Sequence, residues 1–142
     1  MNEQTNTNLE KRFSENLFSF IKEHTFQSDK FVLAISGGMD SMVLLNLFLT
    51  LREQMSLSFC VANVNHGIRP ESVQEQEWLK AFCEKKDVLF FSATIDVKML
   101  KQQAGAKRSL EQVAREERLQ ALQNIKKAYQ GNWVVTAHHR DD

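Results

Sequence analysis

The sequence predicts an α/β protein: an open, mostly parallel sheet of four strands with helices on both faces. Three observations carry this. Short, bounded apolar runs occur at 31–35, 57–65, 88–95 and 133–137. Longer stretches with apolar residues at helical spacing lie between them. The two kinds of segment alternate strictly, which calls for crossover connections and therefore parallel strands.

Residues 1–7, "MNEQTNT", are polar and expected to be disordered. Leu9, Phe13, Leu17 and Phe20/Ile21 then recur at helical spacing, so 8–24 reads as an amphipathic helix. "FVLAI" at 31–35 is a buried strand. Residues 40–53 are apolar nearly all round, as in a helix buried on more than one side. "LSFCVANVN", 57–65, is a second strand, and "HGIRPES" a loop in which Pro70 suits a helix start. Trp78, Leu79, Phe82 and Cys83 mark a helix over 71–86, and "VLFFSATI", 88–95, a third strand. Residues 96–108 are polar and contain Gly105; they read as a loop or short irregular helix. Ser109 with Gln112 is a capping-box signature, opening a helix to about Tyr129 with Leu110, Ala114, Ala121, Ile125 and Ala128 on one face. A Gly-Asn turn leads into the fourth strand, 133–137. The chain ends at Asp142 with no closing helix, so 8–142 is expected to be part of a larger domain.

The chain has 142 residues, 42% hydrophobic and 25% charged, one domain's worth and enough to bury a core. Its formal net charge is zero, so no global field draws it to nucleic acid or membrane, and a polyanion would need a local patch. Cys60 and Cys83 stand in apolar surroundings and form no ligand pattern, which points to buried thiols in a reducing compartment. No signal peptide and no run long enough to span a membrane is visible, so a cytoplasmic location is expected by elimination.

The chemistry concentrates at "SGGMDS", 36–41, where the first strand turns into a helix. In open parallel sheets ligands collect at the carboxyl ends of strands. Gly37 and Gly38 allow backbone amides to converge at the helix start, where the dipole favours an anion, and Ser36 and Ser41 add hydroxyls. The pattern is neither GxxxxGK[ST] nor GxGxxG. A tight turn capped by Asp40 or Ser41 is the plain alternative. The full stretch Ser36-Gly37-Gly38-Met39-Asp40-Ser41 resembles the SGGxDS signature of the pyrophosphatase-loop ATP enzymes, which cleave ATP to AMP and pyrophosphate. That resemblance implies a Rossmann-like sheet of the adenine nucleotide alpha-hydrolase type, ATP bound by residues 36–41, and Mg²⁺ held by Asp40 between carboxylate and phosphates.

Three further stretches narrow the resemblance. "NVNHGIRPES", 63–72, resembles the VxHGLRxxS loop of tRNA(Ile)-lysidine synthetases; "SLEQVAREERL", 109–119, their SxExxARxxRY helix; "TAHHRDD", 136–142, their AHHxDDQxET segment. The implied reaction adenylates C2 of the wobble cytidine of tRNA(Ile) bearing the CAU anticodon, after which L-lysine displaces AMP. The implied catalytic residues are Asp40, Arg115, His138 and Asp142; His66, Arg69, Lys107, Arg118 and His139 are candidate substrate contacts. Each has a plainer alternative. Arg115 can pair with Glu111, four residues back. Arg118 shares its face and, with Arg115, can bind a polyphosphate or tRNA backbone. Leu119 replaces the family's aromatic. His66 and Arg69 can be rim residues, Lys107 and Arg108 simply solvated, and His138 and His139 solvent-facing; a zinc site is not expected. Family members are much longer, so this chain is read as the N-terminal catalytic portion without the tRNA-binding domains. The fourth strand is expected to lie next to the first, with a fifth beyond it in the full domain; without that fifth strand the sheet keeps an exposed edge that would impair activity and favour self-association, for example as a homodimer. The alternatives are a tRNA sulfur-transferase, for which Cys60 and Cys83 are poorly placed, and an inactive nucleotide-binding module or fragment.

Overall fold

The computed structural model describes residues 29–65, 70–105 and 108–137, together with Ser19. In chain order these form β1 (Lys30–Ala34), α1 (Met39–Gln54), β2 (Ser58–Asn65), α2 (Pro70–Lys85), β3 (Leu89–Thr94), α3 (Val97–Ala104), α4 (Leu110–Tyr129) and β4 (Trp133–Thr136). The four strands make one sheet in the order β3-β2-β1-β4, with every pairing parallel. Of the helix expected over 8–24, only Ser19 is described, and it is helical and exposed; residues 1–7 lie outside the described residues.

Helices cover both faces. On one, Leu44, Leu45, Phe48 and Leu51 of α1 and Leu79 and Cys83 of α2 pack on Phe31, Leu33, Phe59 and Val61. The Phe48 ring sits 5.5 Å from the rings of both Phe31 and Phe59. On the other face, Leu122 and Ile125 of α4 cover Val32, Ala34, Cys60 and Ala62. Alternate residues of β1 and β2 thus enter opposite cores, which is why both faces of their middle segments, Phe31–Ala34 and Phe59–Ala62, are apolar.

Two local expectations differ from the structure. The stretch 96–108, expected as a loop or short irregular helix, holds the short but regular helix α3; the Asp96 carboxylate accepts the Met99 N–H at 3.0 Å, an N-cap that starts it. The buried stripe of α4 is Val113, Leu122 and Ile125, whereas Leu110 is 44% exposed and Ala128 is exposed. The helix is turned from the expected face because Val113 and Leu122 carry more apolar surface than the alanines. Ser109 does cap α4, accepting the Gln112 N–H at 3.1 Å, but the Gln112 side chain donates to Glu116 instead of closing a reciprocal box.

α4 runs back toward the start of β1. Tyr129 lies under the Lys30 ammonium, 5.1 Å from the ring centroid. Asn132 then exchanges two 2.8 Å hydrogen bonds with Lys30, and the Trp133 indole donates to Asp29 at 2.9 Å. Gly131 makes this turn because a Cβ there would come within 2.9 Å of Val32.

Candidate functional site

The chain leaves β1 to build β2 and β3 on one side, then crosses to place β4 on the other. The carboxyl end of β1 is therefore the point at which strand order reverses, the position where such sheets bind ligands. Residues 36–41 occupy it.

β1 ends with the Ile35 N–H donating to Ala62 O at 2.9 Å. Gly37 then turns the chain at φ +92°, a conformation that disfavours any side chain. Gly38 is the N-cap of α1 and brings no side-chain cap. The loop is closed by its own hydroxyls. Ser41, buried in the first turn of α1, donates to Gly38 O at 3.0 Å. Its Oγ accepts the N–H groups of Ser36 and Gly37, each at 3.2 Å, and lies 3.2 Å from Ser36 Oγ. Ser36 Oγ in turn accepts the Gly38 N–H at 3.2 Å. Several main-chain donors thus converge on two hydroxyl oxygens. Ser41 acts as a clasp within the loop, not as the outward donor the sequence suggests. The amides of the first helical turn have no intrahelical carbonyl to bond, and the helix dipole points the same way. Met39, 84% exposed, and Asp40, also exposed, stand on the outside of this turn.

Among the described residues, the loop itself offers oxygen donors: the Asp40 carboxylate and the Ser36 hydroxyl. Such a set fits a hard divalent cation completed by phosphate oxygens and water. Among the described residues, no group of three or more His, Cys, Asp and Glu gathers to hold a metal on its own.

Arg115 and Arg118 lie on the first half of α4, exposed and half-buried respectively. At 1.5 Å per helical residue they stand about 21 and 16 Å along the axis from Tyr129, while at 3.3 Å per strand residue Ser36 stands about 20 Å from Lys30. With Tyr129 beside Lys30, these helix and strand lengths are of similar span. Among the described residues, Arg115 forms no ion pair with Glu111, the arrangement its spacing allows. Arg108 does pair, with Glu116. His66, Arg69, Lys107, His138, His139 and Asp142 lie outside the described residues.

Two buried asparagines of β2 escape the sequence reading. The Asn63 amide donates to Ile35 O at 2.9 Å, and the Asn65 amide donates to Gln76 of α2 at 3.2 Å. The available signal is polar residues standing in a strand otherwise filled with Cys60, Val61, Ala62 and Val64. The cysteines are as expected: both are buried, and burial pushes the thiols up to about 12 for Cys60 and about 11 for Cys83.

A family model for the PP-loop domain matches residues 3–142. The chain belongs to the PP-loop family. Among PP-loop relatives it is similar to the tRNA(Ile)-lysidine synthase of Clostridium acetobutylicum, 36% identical over 117 residues, covering 82% of this chain and 25% of that protein. The tRNA(Ile)-lysidine synthase of Persephonella marina is 34% identical over 137 residues, covering 94% of this chain and 29% of the relative. The chain therefore spans little more than a quarter of the length of these relatives. Its PP-loop fold is shared with the U34-tRNA thiolase NcsA of Methanococcus maripaludis (TM-score 0.66, 19% identity, 81% of this chain and 39% of that one). It is also shared with an NH3-dependent NAD synthetase of Campylobacter jejuni (TM-score 0.66, 13% identity, 94% and 57%). No helix among the described residues is long and apolar enough to cross a membrane.

Proposed function

We propose that this PP-loop chain supplies the nucleotide site of an ATP-dependent tRNA(Ile)-lysidine synthetase. The observation that carries the reading is the SGGMDS loop, closed on itself at the reversal point of the sheet with Asp40 exposed beside it. The names of the similar relatives support tRNA(Ile) as the substrate; the CAU anticodon and L-lysine are part of the proposal. In this reading C2 of the wobble cytidine is adenylated with release of pyrophosphate, and the lysine amino group then displaces AMP.

The first turn of α1 holds the phosphates, where dipole and N–H groups favour negative charge, while the Ser36, Gly37 and Gly38 amides, bonded to the two serine hydroxyls, shape the loop that leads into it. Asp40 is the residue that would hold Mg²⁺, which when bound offsets charge developing on the departing pyrophosphate. Arg115 and Arg118, on the helix that covers the opposite face of the sheet, bind phosphate, of the nucleotide or of the tRNA backbone. His138 and Asp142 position the substrate, while His66, Arg69, Lys107 and His139 contact it. Sulfur transfer has less support: among the described residues the only thiols are those of Cys60 and Cys83, buried and held protonated, whereas thiol chemistry needs an accessible thiolate.

The test is lysine-dependent release of AMP from ATP in the presence of tRNA(Ile), assayed on the full-length protein. Asp40→Ala should lower the rate by about 100-fold or more, because charge stabilisation of several kcal/mol is at stake. Turnover near the wild-type rate in that variant overturns the role given to Asp40. Sulfur incorporation in place of lysine overturns the reaction.

A further inference from the structure

We propose that Asn63 is a positioning residue for the phosphate loop: its buried amide fixes the peptide that aims the first loop N–H. The inference rests on the nucleotide reading of residues 36–41 and assigns a role to a residue outside the loop.

The geometry is short and continuous. β1 and β2 run in parallel register to Ala34 opposite Ala62, and the last main-chain bond runs from Ile35 N–H to Ala62 O at 2.9 Å. The next acceptor, Ile35 O, takes the Asn63 side-chain amide at 2.9 Å, and the bond is buried. Only the NH₂ end of an amide can donate to a carbonyl, so the orientation of Asn63 follows from its partner. The Ile35–Ser36 peptide is planar and trans, so its C=O and N–H point in opposite directions. With the C=O held toward β2, the Ser36 N–H is directed away from β2, and it meets Ser41 Oγ at 3.2 Å. The Gly37 N–H converges on the same oxygen. Asn63 therefore sets the direction of the first N–H that holds the Ser41 hydroxyl, and it does so through the Ile35 carbonyl.

Asn65 provides a matched control. It is buried to a similar degree, sits two residues further along the same strand, and directs its side-chain amide to Gln76 of α2 rather than to the loop. Asn63→Leu and Asn65→Leu each place an apolar group of similar size in β2, but only the first releases the Ile35–Ser36 peptide.

The experiment compares these two variants of the intact protein by affinity for a non-hydrolysable ATP analogue and by hydrogen exchange at the Ser36 and Gly37 amides without nucleotide. Should Asn63→Leu fail to fold, Asn63→Ser, too short to reach Ile35 and able to admit a water, takes its place. We expect Asn63→Leu to bind the analogue about tenfold more weakly and to exchange those two amides about tenfold faster, with Asn65→Leu close to wild type in both. Unchanged affinity and exchange in the Asn63 variant, or equal losses in the Asn65 variant, overturn the inference. Wild-type protein that binds no ATP analogue overturns the functional reading instead. The exchange rates at Ser36 and Gly37 then still decide the role of Asn63, because they are read in the free protein.

Discussion

The Ser41 hydroxyl holds the loop from within. It gives its proton to Gly38 O and receives the amides of Ser36 and Gly37, so the loop is shaped before any phosphate arrives. Ser41→Ala leaves those partners without it in a partly buried place, and we expect a stability loss of about 1–3 kcal/mol by urea titration. Gly37→Ala isolates backbone geometry, because a Cβ there meets nothing within 4 Å while φ is +92°. Its expected cost is about 1 kcal/mol, with a weaker nucleotide affinity as the loop relaxes toward negative φ. Retained affinity at reduced stability would show that the turn is needed for folding alone. At this scale the loop was legible because its chemistry is contiguous: two glycines, two hydroxyls and a carboxylate within six residues. Asn63 was not, because its partner lies 28 residues away and an isolated polar residue in a strand does not name what it bonds.

Helix α4 shows where reading by element succeeds and where it slips. Its start was legible from Ser109, since a cap is a local hydrogen bond. Its face was legible only at Ile125, because Leu110, Ala121 and Ala128 match the helical period as well as Val113 and Leu122 do, and only the sheet decides which of them are covered. For α3 the error ran the other way: a polar stretch forms a regular helix once Asp96 caps it. The end of α4 is a left-handed residue, Gln130 at φ 61° and ψ 41°, whose N–H reaches back to Lys126 O and Lys127 O. Gln130→Gly keeps these bonds and removes the steric penalty on a side chain in that conformation. It should raise stability by up to about 1 kcal/mol, read as an increase in Tm. A lower Tm would mean that the entropy glycine adds to the unfolded chain outweighs the relief.

On the scale of the whole molecule, the two-layered core follows from parallel strands with helices on both sides, and this much was legible from alternation alone. That the fourth strand lies next to the first was expected as well, from the resemblance to a family and not from periodicity, and the order β3-β2-β1-β4 bears it out. The core also governs the response to alkali. Cys60 and Cys83 are held protonated to about 12 and 11 against an ordinary 9.0. Above about pH 9 the unfolded chain releases protons that the native chain keeps, so stability is full below that pH and declines as pH rises toward 12. Urea midpoints recorded from pH 7 to 11 should be level and then fall, and thiol reagents should label either cysteine only after unfolding. A midpoint that stays flat to pH 11 would mean that these thiols are wetter than the packing indicates. The placement of β1 has a further consequence during translation. Its pairing with β2 is available early, but Lys30 meets Asn132 across 102 positions of chain. At ribosomal rates of 5–20 residues per second, the strand that carries the phosphate loop waits on the order of 5–20 s, one edge open, before β4 is synthesised. A nascent chain stalled before Trp133 therefore presents the complete SGGMDS segment without the strand that flanks it, and is a more natural client for a chaperone than for a nucleotide.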